Sequence, residues 1–264
     1  MLDLLYFLLL GAFAGTIAGL LGLGGGIILV PSLIWIFQYK LQIQQDKIMH
    51  MTIATSMTTI VFTALFSIYA HQKRKAIHWP AFKKLLPGMV IGTLIGVFIA
   101  NSLSSSILKI TFAFFLLIVA VQIEFLGNPK GEKKFPGYLL SNLFGYLIGN
   151  FSALVGIGGG SLIVPLLLWF RIPIRNAIAT SAACGLPIAL SGAIGFVILG
   201  FKSSTYQATG YIYWPAVFAI VPASLIFVPL GVKLAHRLPI EILKKIFAIF
   251  LVIISIKMLL SEFL

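Results

Sequence analysis

Charge is scarce in this chain, and negative charge is scarcest. Only 9% of its 264 residues are charged, with 6 Asp or Glu against 19 Lys or Arg. The acids stand at ends and in loops: Asp3, Asp46, Glu132, Glu241 and Glu262, with Glu124 near the end of an apolar run. Carriers of cations usually place a carboxylate at mid-membrane, so this pattern argues against that class. The lone Cys184 excludes an internal disulfide and reads as small buried packing. The histidines, His50, His71, His78 and His236, show no metal-binding spacing. Paired carboxylates and a Gly-x-Ser-x-Gly elbow are also missing. An intramembrane enzyme would need such a nucleophile–base pair or metal site. The sequence therefore implies no enzyme, no metal and no cofactor.

Apolar residues dominate instead, at 60% and a mean hydropathy of +1.09. Runs of spanning length cover 4–21, 51–70, 85–100, 107–123, 138–155, 177–199, 211–235 and 242–260. About 20 such residues cross a bilayer, so the expectation is an all-α polytopic membrane protein in the cytoplasmic membrane. The start carries Asp3 rather than a basic region, and its long run reads as a retained span rather than a cleaved signal. The formal charge of +13 clusters in short loops, which is the positive-inside pattern and not a nucleic-acid stripe.

Glycine is where the chain is most distinctive. Gly22-Leu23-Gly24-Gly25-Gly26-Ile27-Ile28-Leu29-Val30-Pro31 returns as Gly156-Ile157-Gly158-Gly159-Gly160-Ser161-Leu162-Ile163-Val164-Pro165. Each glycine in a helix interior costs about 1 kcal/mol against Ala. Broken backbone at membrane depth must be shielded by protein or line a cavity. Matched interruptions in two halves are the sequence pointer to a transporter's substrate site.

The repeat extends well beyond these turns. Ala54-Thr55-Ser56 matches Ala179-Thr180-Ser181, and Ile77-His78-Trp79-Pro80-Ala81 matches Ile212-Tyr213-Trp214-Pro215-Ala216. The halves fall at 1–127 and 136–264, joined by a polar link at 128–135. Matched loops carry opposite charge bias. Lys73, Arg74, Lys75, Lys83 and Lys84 face a counterpart holding Lys202 alone, and the uncharged 101–106 faces Lys233, Arg237, Lys244 and Lys245. The halves therefore read as inverted, with an odd number of crossings each. Short arms after the glycines, 27–37 and 161–170, supply the fifth element: eight full spans, or ten with the arms counted. Each half is then a Gly-broken hairpin followed by three spans, with both termini outside and the link inside.

Successive N–H groups in such a turn form an anion-binding nest, and the following helix adds its positive end. No Arg or Lys is needed at mid-span. The candidate substrate residues are Gly22, Gly24, Gly25, Gly26, Thr55 and Ser56 in the first half. Their second-half counterparts are Gly156, Gly158, Gly159, Gly160, Ser161, Thr180 and Ser181. Pro31 and Pro165 read as structural helix-break residues, early enough in the helix that the missing N–H does little harm. The Thr-Ser pairs have an alternative role in helix packing and backbone capping, as the glycines have in close helix approach. Asn150, Ser152 and Ser161 decorate only the second turn, where Ala18 and Ile27 take the places of Ser152 and Ser161. The two Trp-Pro pairs suit the membrane interface, and His50 is a candidate proton handle.

The double G-[LI]-GGG-x-x-x-VP motif, the paired Ala-Thr-Ser triplets and the repeated Trp resemble the TauE/SafE family of sulfite exporters and organosulfonate permeases. The resemblance covers essentially the whole chain. It implies a secondary transporter for small sulfur-containing anions, by alternating access, with protons as a candidate coupling ion. The partners expected are the small anion and the bilayer. A permease for another small anion and a non-transporting scaffold subunit remain alternatives; a scaffold would tolerate bulk at the glycine turns.

Overall fold

The computed structural model describes residues 2–21, 25–125, 135–201, 207–235 and 240–263. Ten helices run through these residues, five in each half and in matched order. The first half contains α1 (Leu2–Leu21), the short α2 (Gly26–Tyr39), α3 (Ile48–Lys73), α4 (Trp79–Ser102) and α5 (Ser105–Phe125). The second half repeats the series as α6 (Tyr138–Val155), the short α7 (Gly160–Trp169), α8 (Ile174–Leu199), α9 (Trp214–Ala235) and α10 (Ile240–Phe263). Of these, α3, α4, α5, α6 and α8 are each long and apolar enough to cross a bilayer. The chain is an all-α, multi-pass membrane protein.

Expected and observed elements agree closely, and the differences have local causes. Helix α4 begins at Trp79, not near 85, because Pro80 is tolerated in a first turn, where no intrahelical N–H bond is lost. Helix α9 begins at Trp214, not 211, because the preceding residues pair as an antiparallel ribbon, β1 (Ala208–Thr209) with β2 (Ile212–Tyr213). Its turn residue Gly210 has φ +60°. The ribbon's Tyr213 ring packs against Phe37 at 5.6 Å and Phe7 at 6.0 Å.

The prolines do not break the short arms. Both arms run straight through them, with Pro31 at the sixth position of α2 and Pro165 at the sixth of α7. At that depth each ring removes a bond to the carbonyl four residues back, at Ile27 and Ser161. The interruptions therefore fall on the glycines. Lys109, in the second turn of α5, is a buried cation at 3% exposure, close to a helix end rather than at mid-span. Its long apolar stem lets it occupy apolar surroundings near a helix end.

The main helix contacts cross between the halves. Helix α4 packs on α6, α1 on α9, α5 on α10 and α3 on α8. Exchanging the halves turns α1·α9 into α6·α4 and returns the other two pairs to themselves. Glycine makes the first two seams possible. Gly88, Gly92 and Gly96 of α4 meet the backbone at Asn142, Tyr146 and Asn150 of α6, so these helices run parallel. Gly11 and Gly15 of α1 likewise meet Ile220 and Ser224 of α9. Backbone-to-backbone approach of this kind drives helix association where lipid removes the hydrophobic incentive. Pro87 leaves Lys83 without its returning N–H, and the adjacent Gly88 N–H instead donates across the seam to Asn142 Oδ1 at 3.0 Å. One contiguous core includes Phe37, Met49, Phe112 and Phe196, while large apolar side chains such as Leu139, Phe98 and Ile198 face outward.

Candidate functional site

The second glycine turn is described throughout. Helix α6 ends at Gly156, whose φ of +73° lies in the left-handed region. The Gly156 and Ile157 N–H groups both donate to Ser152 O, at 2.9 and 3.1 Å. Gly159, at φ +72°, then caps the start of α7. A side chain at either position is strained in that backbone. The Gly159 carbonyl accepts from Leu162 at 3.0 Å and Ile163 at 2.8 Å, closing the first turn. The N–H groups of Gly160 and Ser161 lie ahead of any intrahelical acceptor, at the positive end of the helix.

Three elements converge on this turn. Gly26, at the start of α2, abuts it: a methyl built there would lie 3.2 Å from Ile157 Cα and 3.3 Å from Gly156 O. The start of α2 therefore meets the turn that joins α6 to α7. From α3, Ser56 Oγ donates to Gly156 O at 2.9 Å, and Ile60 stands against both Gly26 and Gly158. From α8, Ser181 Oγ donates to Gly160 O at 3.4 Å. Gly185, also from α8, leaves room for Gly158 O. Gly22 and Gly24 lie outside the described residues. Gly25 caps α2 with ordinary helical angles, φ −71° and ψ −18°, so the described part of the first turn lacks the left-handed geometry of the second.

The threonines of the triplets point elsewhere. One residue along a helix turns the side chain by about 100°, which separates Thr55 from Ser56 and Thr180 from Ser181. Thr55 Oγ1 accepts the Tyr213 N–H at 3.0 Å, and Thr180 Oγ1 accepts the His78 N–H at 2.8 Å. Each ties the residue just before a Trp-Pro helix start in the opposite half. His50 also sits apart, with Nε2 3.0 Å from Ala100 O and its ring 5.3 Å from Tyr211.

Three hydroxyls stand out by what they lack. Buried Ser and Thr usually bond a carbonyl one turn back, as Thr58 does to Ala54 at 2.8 Å and Thr59 to Thr55 at 2.9 Å. Thr52, Ser152 and Ser161 are at most 2% exposed, yet their hydroxyls have no hydrogen-bond partner among the described residues. Ser152 and Ser161 flank the second turn, and a methyl on Gly159 would lie 3.3 Å from Ser152 Oγ. Thr52 lies one helical turn from Ser56 on α3. Ser152 and Thr52 were not among the residues singled out for substrate contact. The signals for Ser152 are its polarity within an apolar run and the Ala18 that stands in its place in the first half.

Comparison with known proteins settles the lineage. The model of the family described as "Sulfite exporter TauE/SafE" matches residues 7–258. The chain belongs to the TauE/SafE family. A Haemophilus influenzae relative described as "Probable membrane transporter protein" is 36% identical over 258 residues, covering 96% of this chain and 97% of that one. The YunE protein of Bacillus subtilis, described in the same words, is 27% identical, with 95% of each chain covered. A Methanocaldococcus jannaschii protein of that description is also 27% identical, over 88% of this chain and 86% of its own. No solved structure matches. This TauE/SafE member is a membrane transporter, and its family and relatives are named as transporters rather than enzymes.

Proposed function

We propose that this transporter moves small sulfur-containing anions, such as sulfite, sulfoacetate or other organosulfonates, across the cytoplasmic membrane by alternating access. The observation that carries the reading is the pair of unpartnered hydroxyls, Ser152 and Ser161, beside the left-handed turn that opens α7. An unpaired buried hydroxyl costs about 1–3 kcal/mol, and a ligand oxygen accepting from it would recover that cost. The N–H groups at the start of α7 supply further neutral donors. Gly26, at the start of α2, comes against the same turn from the other half. The family description supports the sulfur chemistry. The opposed loop charges support inverted repeats, with the 128–135 link inside.

The test is sulfite flux into liposomes containing the purified protein, with and without an imposed pH gradient. Saturable flux competed by sulfoacetate is expected, and a response to the gradient would identify protons as the coupling ion. Ser152→Ala and Ser161→Ala remove no protein hydrogen bond, so thermal stability should hold or rise. Each should weaken apparent sulfite affinity about fivefold, the worth of one hydrogen bond. Absence of flux for every sulfur oxyanion would overturn the substrate, and unchanged affinity in both variants would overturn the site.

A further inference from the structure

The outer face of the α4·α6 seam carries a groove unrelated to the glycine turns. Where α4 and α6 meet at Gly88 and Asn142, the surface between them forms a groove of about 440 Å³. Its walls are Ile91 of α4 with Leu139, Leu143 and Tyr146 of α6. Ile91 is 54% exposed, Leu143 52% and Leu139 87%. In a multi-pass membrane protein such a face meets acyl chains. The groove's polar floor is closed, because Asn142 Oδ1 accepts from the Gly88 N–H and the Asn142 amide N–H donates to Tyr138 O.

One end of the groove is strongly cationic. Lys84 lies one helical turn before Gly88 and two before Ile91, on the same face of α4. Its Nζ donates to Pro136 O at 3.0 Å, just ahead of α6, and stands 5.6 Å from the Phe135 ring centroid. Lys83 is exposed beside it, and Lys73, Arg74 and Lys75 are exposed immediately before α4. The sequence has no Asp or Glu between Asp46 and Glu124, nor between Glu132 and Glu241. Since α4 and α6 run parallel, both positive helix ends lie at this same end. An apolar trough ending in clustered positive charge has the two parts of an anionic phospholipid.

We infer that the α4·α6 groove binds an anionic phospholipid, with an acyl chain against Ile91, Leu143 and Tyr146 and the headgroup phosphate at Lys83 and Lys84. The occupant brings negative charge where the protein has none and apolar length where the groove is bare. A zwitterionic lipid matches only the second property.

Native mass spectrometry of the full chain in detergent tests this, titrated with dioleoyl-phosphatidylglycerol or dioleoyl-phosphatidylcholine. One phosphatidylglycerol should be retained about 25-fold more tightly than phosphatidylcholine, with each of the two lysines worth about fivefold. The K83Q/K84Q double variant should bring phosphatidylglycerol to the phosphatidylcholine level, and Leu143→Trp, which fills the groove, should weaken both lipids. If loss of the Lys84–Pro136 tie prevents folding, K83Q alone should still reduce the preference about fivefold. Equal binding of the two lipids by the unaltered chain would overturn the proposal. So would a preference that survives the lysine changes, lipid binding indifferent to Leu143→Trp, or occupation of this face by a second copy.

Discussion

At the scale of the residue, the triplets separate two roles that adjacent hydroxyls can share in a sequence. Ser56 reaches the second glycine turn, while Thr55 serves the Tyr213 N–H, and Thr180 serves the His78 N–H. Both N–H groups belong to residues placed just before a helix, where no intrahelical carbonyl is available. Thr55→Val or Thr180→Val keeps the side-chain shape but removes that acceptor. Each should lower stability by about 1–3 kcal/mol, read as a fall in Tm in detergent, whereas Thr→Ser at the same positions should keep most of it. If Thr→Val left Tm unchanged and weakened substrate affinity instead, the hydroxyls would be ligand contacts. The triplets themselves were legible because they recur. Their partners were not, because a hydroxyl's direction depends on where the opposite half delivers its backbone. The orphaned Ser152 shows the same limit: polarity is visible in a sequence, but the lack of a partner is not.

At the scale of the element, the apolar runs made the helices legible but not every boundary, since α4 starts at Trp79 rather than near 85 and α9 at Trp214 rather than 211. The run 138–155 coincides with α6, and both short arms form helices. Three glycines spaced by four residues in α4 could also be seen, but a spacing does not name its partner helix. The structure pairs them with α6 of the other half, where a Cβ on Gly92 would overlap Tyr146 O. Backbone cannot yield as a flexible side chain can, so overpacking here should cost at least about 3 kcal/mol. Gly92→Leu should therefore sharply reduce the yield of monodisperse protein on size-exclusion chromatography. Gly25→Ala is the control, since among the described residues its Cβ would meet only the Leu29 side chain, at 3.7 Å from Cδ1, in a backbone that already has ordinary helical angles. Equal yields from the two variants would show that the seam is not held by close backbone approach.

At the scale of the whole molecule, the repeat could be read from the sequence, but the interlocking of its halves could not. Homologous segments suggest two bodies side by side. Instead α4 lies on α6, α1 on α9, and the ties from Thr55 and Thr180 also cross between halves. An exchange of this kind makes the halves one cooperative unit, so neither should fold alone. Helices α4 and α6 are parallel, as are α1 and α9, an arrangement that four or five crossings per half would equally produce, so the inversion rests on the opposed charge of the matched loops. Placing single cysteines at positions 74 and 202 in a Cys184→Ala background tests the inversion. A membrane-impermeant maleimide added to one side of sealed vesicles should label only one of them, and lysis should expose the other. Labelling of both from the same side would remove the inversion and, with it, the symmetry argument for alternating access, while leaving the helix pairing and the glycine turn as they stand.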